Sequence, residues 1–395
     1  MAESPYRTLI AGGGIAAVEL LVALRKLAAE RVTLELLAPE DYLIYRPLLV
    51  TEPFGAGSGH RFPLADILAD HGALRHQGML AAVDAHTHEA LTAAGQKLPY
   101  DALLIATGAR PVDVVPGALC FAGRAAVEPF RELLARIDAG QVDTIAFALP
   151  TPAVSWPLPL YELAFLTAAR GGTRVVLATA EKAPLELFGD PASRELTTRL
   201  EQAGIELHAG TEPLSFEDGE LRLEGGETIA AGAAVALPHL QGPRIDGVPS
   251  DDDGFVLADE HQRVPGADDV YAAGDAVSFA IKQGGVSVRQ AQAAAECIAQ
   301  HAGAPVTPEP FEGFLRGMLL TGGEPSYLES GAGHSLVTDS PLWWPPAKIA
   351  DSYLVPYLVS RFQLTIKPNP TGDQGDLVSS VPASEPVPAR HERPA

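Results

Sequence analysis

Cysteine is scarce in this sequence. Cys120 and Cys297 are the two in 395 residues, and they form no CxxC pair. That argues against a CxxC redox couple, a thiolate zinc site and a disulfide scaffold, and both read as core residues. Positive charge is also short: Lys and Arg total 28 against 50 Asp and Glu, a formal net charge of -22. Such a surface repels nucleic acid and opposes polybasic docking on anionic lipid. No uninterrupted run of 18 apolar residues occurs, so no spanning helix is expected. The opening Met1-Ala2-Glu3-Ser4 carries an acid where an export signal carries bases, and Gly12, Gly13 and Gly14 break the first apolar stretch. The expectation is a cytoplasmic protein, with peripheral contact at the inner face of the cell membrane left open.

What is present suits a globular chain of two or three domains: 47% hydrophobic and 20% charged residues. Arg7 to Ala11 reads as a buried parallel strand, Ile15 to Ala29 as a helix and Arg31 to Ala38 as a second strand, together a βαβ unit. Antiparallel strands are expected over 78–83 and 89–92, and another buried strand over 101–106. A second βαβ unit follows: strand 144–149, helix 161–169, strand 173–179, then helix 191–203, an extended 204–208 and a hairpin within 214–229. Short strands are expected at 254–258 and 270–273, and a strong helix over 287–301. The Pro-rich, apolar-poor stretch from Lys367 onward is expected to be disordered.

Gly12-Gly13-Gly14-Ile15-Ala16-Ala17 fits G-x-G-x-x-A, following a strand and opening a helix. In that context the glycines allow a tight turn and close approach to a pyrophosphate, which sits on the free amides of the helix start. Glu40, just past the second strand, is a ribose candidate, and an exposed loop acid fits it nearly as well. Val270 to Ala276 ends a short apolar strand in Gly274-Asp275, placing a carboxylate at a strand's C-terminal edge, where it can accept bonds from sugar-alcohol hydroxyls. His86 and His88 have no partner cluster, so no metal site is expected.

These motifs, with Ala106-Thr107-Gly108-Ala109 and Lys282-Gln283-Gly284-Gly285, resemble the pyridine nucleotide–disulfide oxidoreductase superfamily over roughly residues 6–366. Tyr45-Arg46-Pro47-Leu48, Gln283-Gly284-Gly285 and the Trp343-Trp344 region look most like the branch of type II NADH dehydrogenases and sulfide:quinone oxidoreductases. The resemblance implies an α/β fold of two Rossmann-like, glutathione-reductase-type domains, the second inserted into the first, with a C-terminal extension. The expected boundaries are 1–115 and 241–303 for an FAD domain, 116–240 for a degenerate NAD(P)-type domain, 304–366 for a C-terminal subdomain and 367–395 for the tail. It also implies bound FAD, held by Gly12, Gly13, Gly14, Ile15, Ala16, Glu40, Arg46, Pro47, Ala106, Thr107, Gly108, Gly274, Asp275, Gly284 and Gly285. A helix opening at Gly284-Gly285 and aimed at the reduced flavin would raise its potential modestly. Glu162 is the candidate proton relay, weighed against an ordinary first-turn glutamate favoured by the helix dipole. Trp343 and Trp344 read as core or as a quinone-stacking surface.

Two departures bear on the donor. Where a nicotinamide domain has its glycine turn, this chain reads Leu149-Pro150-Thr151-Pro152-Ala153-Val154-Ser155-Trp156-Pro157-Leu158-Pro159, and proline has neither the N–H nor the φ freedom to cradle a pyrophosphate. Trp156 stands six before Glu162, where sulfide:quinone oxidoreductases carry a redox cysteine, so sulfide chemistry lacks its thiolates. Three readings follow: an FAD oxidoreductase passing electrons from a small-molecule donor other than NAD(P)H to a quinone-like acceptor, a type II NADH dehydrogenase-like enzyme with an aberrant nicotinamide loop, and a flavin-binding interaction protein without turnover. NAD(P)H use stays open. The oligomeric expectation is a monomer or homodimer.

Overall fold

The computed structural model describes residues 5–55, 61–150, 156–267, 269–331, 333–350 and 352–364. The expected tail 367–395, the Thr151–Ser155 part of the Pro-rich loop and the opening Met1–Ser4 lie outside the described residues.

Buried apolar runs build two parallel sheets. The first has strand order Val270–Ala272, Ala102–Ile105, Tyr6–Ala11, Val32–Leu37, Leu74–His76, with every pairing parallel. Leu9, Ile10, Leu103 and Leu104 are wholly buried, as expected of strands covered on both faces. On one face the helices Ile15–Ala28 and Gly284–His301 pack together, their alanines (Ala17, Ala23, Ala291, Ala294, Ala295) allowing close approach. The other face is covered by the antiparallel strands Leu80–Asp84, Glu89–Thr92 and Lys97–Pro99.

The second sheet lies between these strands in sequence. Its order is Leu119–Cys120, Ala233–Ala236, Thr144–Leu149, Arg174–Thr179, Glu206–Ala209, again all parallel. The helices Val127–Asp138, Leu158–Arg170 and Asp190–Gln202 bury Phe130, Tyr161, Phe165 and Leu196 in one core, and the three-stranded Pro213–Glu217, Glu220–Leu223, Thr228–Ala230 sheet covers the other face. The α/β expectation therefore holds, with two nucleotide-type sheets, one nested within the other's chain path.

The expected strand at 254–258 is not formed. Val256 makes single bridges to Ser250 and Val277, and Gly254 sits at φ +86° in a turn closed by Asp251, so no ladder extends from it. The last part of the chain holds elements with no expectation set against them. Leu315–Leu319, Ser326–Gly331 and His334–Thr338 form an antiparallel sheet, followed by the helix Leu354–Phe362. Leu315, Met318 and Tyr327 join the core of the second sheet, whereas Leu354, Val355 and Leu358 join that of the first. Among the described residues no helix is long and apolar enough to cross a membrane.

Candidate functional site

The opening strand ends at Ala11 and the helix begins at Ile15, so Gly12–Gly14 make the whole connection. Gly12 adopts φ +129°, and a β-carbon there would lie 2.1 Å from the Ala106 carbonyl oxygen. The Ala106-Thr107-Gly108 segment thus crosses directly against the turn, tied by a bond from the Ala106 amide to the Ala11 carbonyl at 2.8 Å. Gly13 is enclosed: its β-carbon would meet Leu64, Ala38 and, at 3.3 Å, Glu40 Oε2. Gly14 has open space around it and caps the helix without a side-chain bond, leaving the helix start bare. A bare helix start beside a close-packed glycine turn is a ready anion site.

Gly274 brings the second motif to the first. At φ +77° it rests on both helix starts, with an added β-carbon 3.1 Å from Ala16 Cβ and 3.5 Å from Ser287 Oγ. Gln290 fixes it by accepting the Gly274 amide at 2.9 Å, a role for Gln290 beyond simple packing. Asp275 is closely surrounded by protein atoms yet keeps part of its surface accessible. Burial pushes its carboxyl above the usual aspartate range, opposed by the charges of Arg46 and Lys282. Among the described residues nothing hydrogen-bonds this carboxylate, so its acceptor capacity is unused. Lys282 is bonded to the Val277 carbonyl and lies 3.7 Å from the Phe255 ring centroid; burial lowers its pKa to about 8.

Gly284 completes the cluster. A β-carbon there would press on Ile349 at 2.9 Å and approach Pro47 at 3.6 Å, so the helix start, the Arg46-Pro47 segment and the C-terminal extension meet at one place. The Gln283 side chain caps this helix, accepting from the Val286 amide at 3.2 Å, and its amide group donates to the Arg316 carbonyl at 2.7 Å. A capping glutamine with a partner across the extension gives no sequence signal beyond its place before Gly-Gly.

Glu162 lies on the helix Leu158–Arg170, 1% exposed. Its Oε1 is bonded to Lys348 Nζ and accepts the Leu320 amide at 2.9 Å, while Lys348 also donates to the Met318 carbonyl at 2.8 Å. Burial raises the Glu162 pKa and lowers that of Lys348, and each charge opposes the other's shift. Lys348 adjoins Ile349, whose side chain packs against Gly284, so the lysine of the pair is one residue from a side chain that lies on the helix start. This partner was not foreseen, because the two residues are 186 apart in sequence. Nor was Glu19, a fully buried carboxylate on the first helix that accepts from the Tyr353 and Leu354 amides at 2.8 Å each and from Gln292 at 2.7 Å. It caps the last helix and so fixes the extension to the first domain. Trp343 is buried, its Nε1 donating to the Ala347 carbonyl at 2.8 Å, whereas Trp344 is 78% exposed. Cys297 is buried and Cys120 half-buried on a short edge strand. Among the described residues no group of His, Cys, Asp or Glu is placed to hold a metal.

The family described as pyridine nucleotide-disulphide oxidoreductase matches residues 161–296. NADH dehydrogenase-like proteins from two strains of Mycobacterium tuberculosis are 26% identical over 251 residues, covering 60% of this chain and 63% of each relative. The chain's match therefore spans less than two thirds of those relatives. Among solved structures, the sulfide:quinone oxidoreductase of Aquifex aeolicus superimposes with a TM-score of 0.74 at 18% identity, over 84% of this chain and 86% of that one. A ferredoxin reductase from Rhodopseudomonas palustris gives 0.66 at 20% identity, over 82% of each chain. The chain shares the fold of these oxidoreductases, and its residues 161–296 match the pyridine nucleotide-disulphide oxidoreductase family. Within this fold, the C-terminal edge of the first sheet is where Gly12, Asp275 and Gly284 converge.

Proposed function

We propose that the protein is an FAD-dependent oxidoreductase that takes electrons from a donor other than NAD(P)H and passes them to a quinone-like acceptor. The observation carrying this reading is the contact of Gly274 with Ala16, which sets an unpartnered, partly accessible Asp275 carboxylate beside a bare helix start. The residues fit the coenzyme. The Gly12–Gly14 turn and the helix beginning at Ile15 would receive the diphosphate, and Glu40 beside Gly13 the ribose. Asp275 would accept bonds from the polyol, and Ala106, Thr107 and Gly108 would line its underside.

FAD, when bound, supplies two-electron and one-electron chemistry, and the protein's part is placement and electrostatics. Arg46 and Lys282 oppose the Asp275 charge and keep the site from being strongly anionic. The Gly284–His301 helix directs its free amides toward the cluster and favours negative charge there by about 0.3–2 kcal/mol. The Glu162–Lys348 pair is a buried proton reservoir one residue from Ile349, suited to supplying the acceptor with protons. The structural likeness to a sulfide:quinone oxidoreductase supports the quinone acceptor.

The test is the absorption spectrum of the purified protein, followed by anaerobic reduction under a panel of donors and reoxidation by a soluble quinone analogue. Flavin bands with turnover support the reading; a colourless protein that FAD cannot reconstitute sinks it. A second reading, an NAD(P)H-dependent enzyme, is favoured by the NADH dehydrogenase-like relatives. Bleaching of the flavin by micromolar NADH would select it. Bound flavin with no turnover under any donor would select a binding protein instead.

A further inference from the structure

The two βαβ units of this chain can be compared residue by residue, because their first two strands pair in matching register. Ala11 pairs with Leu37 where the opening strand ends, and Leu149 pairs with Thr179 where its counterpart ends. Beyond these pairs each unit reaches a glutamate, Glu40 three residues past Leu37 in the first and Glu181 two past Thr179 in the second. An acid at this place in a nucleotide fold accepts the ribose hydroxyls. The two acids are placed very differently. Glu40 is exposed and stands beside the glycine turn. Glu181 is 5% exposed, and its Oε2 accepts from the Tyr161 hydroxyl at 2.6 Å and the Thr179 hydroxyl at 3.3 Å. Its own amide donates to Thr179 Oγ1 at 3.0 Å.

Tyr161 is the fourth residue of the helix Leu158–Arg170 and is wholly buried. Its counterpart in the first unit, the fourth residue of the helix Ile15–Ala28, is Val18, which has no polar group to offer. The connections differ as well. Residues 12–14 join strand to helix in the first unit and residues 150–157 in the second, with Pro157 before the helix and Pro159 in its first turn, where amides are removed.

We propose that Tyr161 acts as an internal ligand of Glu181, filling the ribose position of the second nucleotide fold and setting the protein's selectivity against NAD(P)H. To receive a ribose diol on Oε2, Glu181 would have to release the Tyr161 hydroxyl, taking the carboxylate acceptor from a buried donor, which costs more than the exchanged bond returns. Burial pushes the Glu181 carboxyl up to about 7, with Tyr161 and Thr179 holding it down and the Glu186 charge raising it further. Such a group is a weakened anionic acceptor near neutrality. For the donor, this inference rests on the oxidoreductase reading; the nucleotide-site claim itself is a matter of binding.

The experiment is calorimetric titration of the FAD-saturated full chain with ADP-ribose, which carries the ribose and diphosphate but no redox chemistry. Flavin content is read from absorbance before titration, so failure to bind FAD, which sinks the oxidoreductase reading, is seen separately. Y161F should tighten ADP-ribose binding by about threefold or more, the effect of freeing one acceptor site. E181Q should leave wild-type binding within about twofold. Y161L, which also removes the phenolic hydroxyl from Glu181, should shift binding as Y161F does and serves if Y161F does not fold. Wild-type binding weakened about fivefold or more by E181Q, or no tightening in folded Y161F or Y161L, overturns the proposal.

Discussion

Gly274 rests against Ala16: a β-carbon on Gly274 would lie 3.1 Å from that of Ala16, with the glycine held at φ +77°. The contact joins residues 258 positions apart (274 less 16) and brings the acid of one strand end to the glycine turn of another.

Enlarging either glycine should therefore separate the two halves of the site. In G12A the new carbon meets the Ala106 carbonyl at 2.1 Å, an overlap with backbone that no side-chain rotation relieves. G274A meets a side-chain methyl and a positive φ. The expected losses are about 3 kcal/mol or more for G12A and about 1–3 kcal/mol for G274A. Flavin content after purification should fall in both, and in G12A more. Urea unfolding with flavin absorbance on the same samples checks this; G12A of wild-type stability would contradict the packing described.

The first site was legible because its parts are local. A three-glycine turn between a strand and a helix, and a Gly-Asp at a strand end, each announce themselves within seven residues. The second nucleotide unit was legible as a pattern of strands and helix. Its internal acid was not, since the Tyr161–Glu181 bond depends on burial rather than on spacing. The C-terminal extension was least legible. Its strands are short, with Gly317 and Gly331 inside them, and its helix carries Pro356, so periodicity is weak. The charged groups that attach it, Glu19 and Glu162, sit on helices of the two other domains.

Glu19 should give stability a pH dependence. Burial raises its pKa from 4.5 to about 7, although three amide donors lower it. The folded state therefore prefers the protonated form. The stabilisation this gives is complete below the unfolded pKa near 4.5 and is lost as pH rises through about 7. The span corresponds to on the order of 3 kcal/mol. Urea midpoints of wild type and E19Q measured between pH 5 and pH 8 should converge or cross, with wild type losing more as pH rises. Parallel curves would show that folding does not raise the pKa of this carboxyl.

The adjacent tryptophans should behave oppositely. Trp343 packs its ring edge-on to Tyr327 at 5.1 Å between centroids and donates to Ala347. W343A should cost about 3–5 kcal/mol. Trp344 is 78% exposed, and W344A should change stability by no more than about 0.5 kcal/mol. If reoxidation by a quinone analogue slows in W344A at unchanged stability, that ring lies on the acceptor's path.

Glu162 and Lys348 separate structure from chemistry through a double-mutant cycle. Each is buried and each holds a second partner at the end of the strand Leu315–Leu319, the Leu320 amide just past it for the glutamate and the Met318 carbonyl for the lysine. Removing one partner leaves a buried polar group unpaired, so E162Q or K348M alone should cost about 3–5 kcal/mol, less to the extent that lysine, already lowered by burial, sheds its proton. The E162Q/K348M double variant should cost clearly less than the two singles together, because no lone charge remains. Catalysis should not recover with stability. If the pair supplies protons to the acceptor, reoxidation of reduced flavin by quinone should be slowed about tenfold or more in both E162Q and the double variant, while reduction by donor is unaffected. A double variant that regains both stability and reoxidation rate would leave the pair a packing device joining the extension to the second domain.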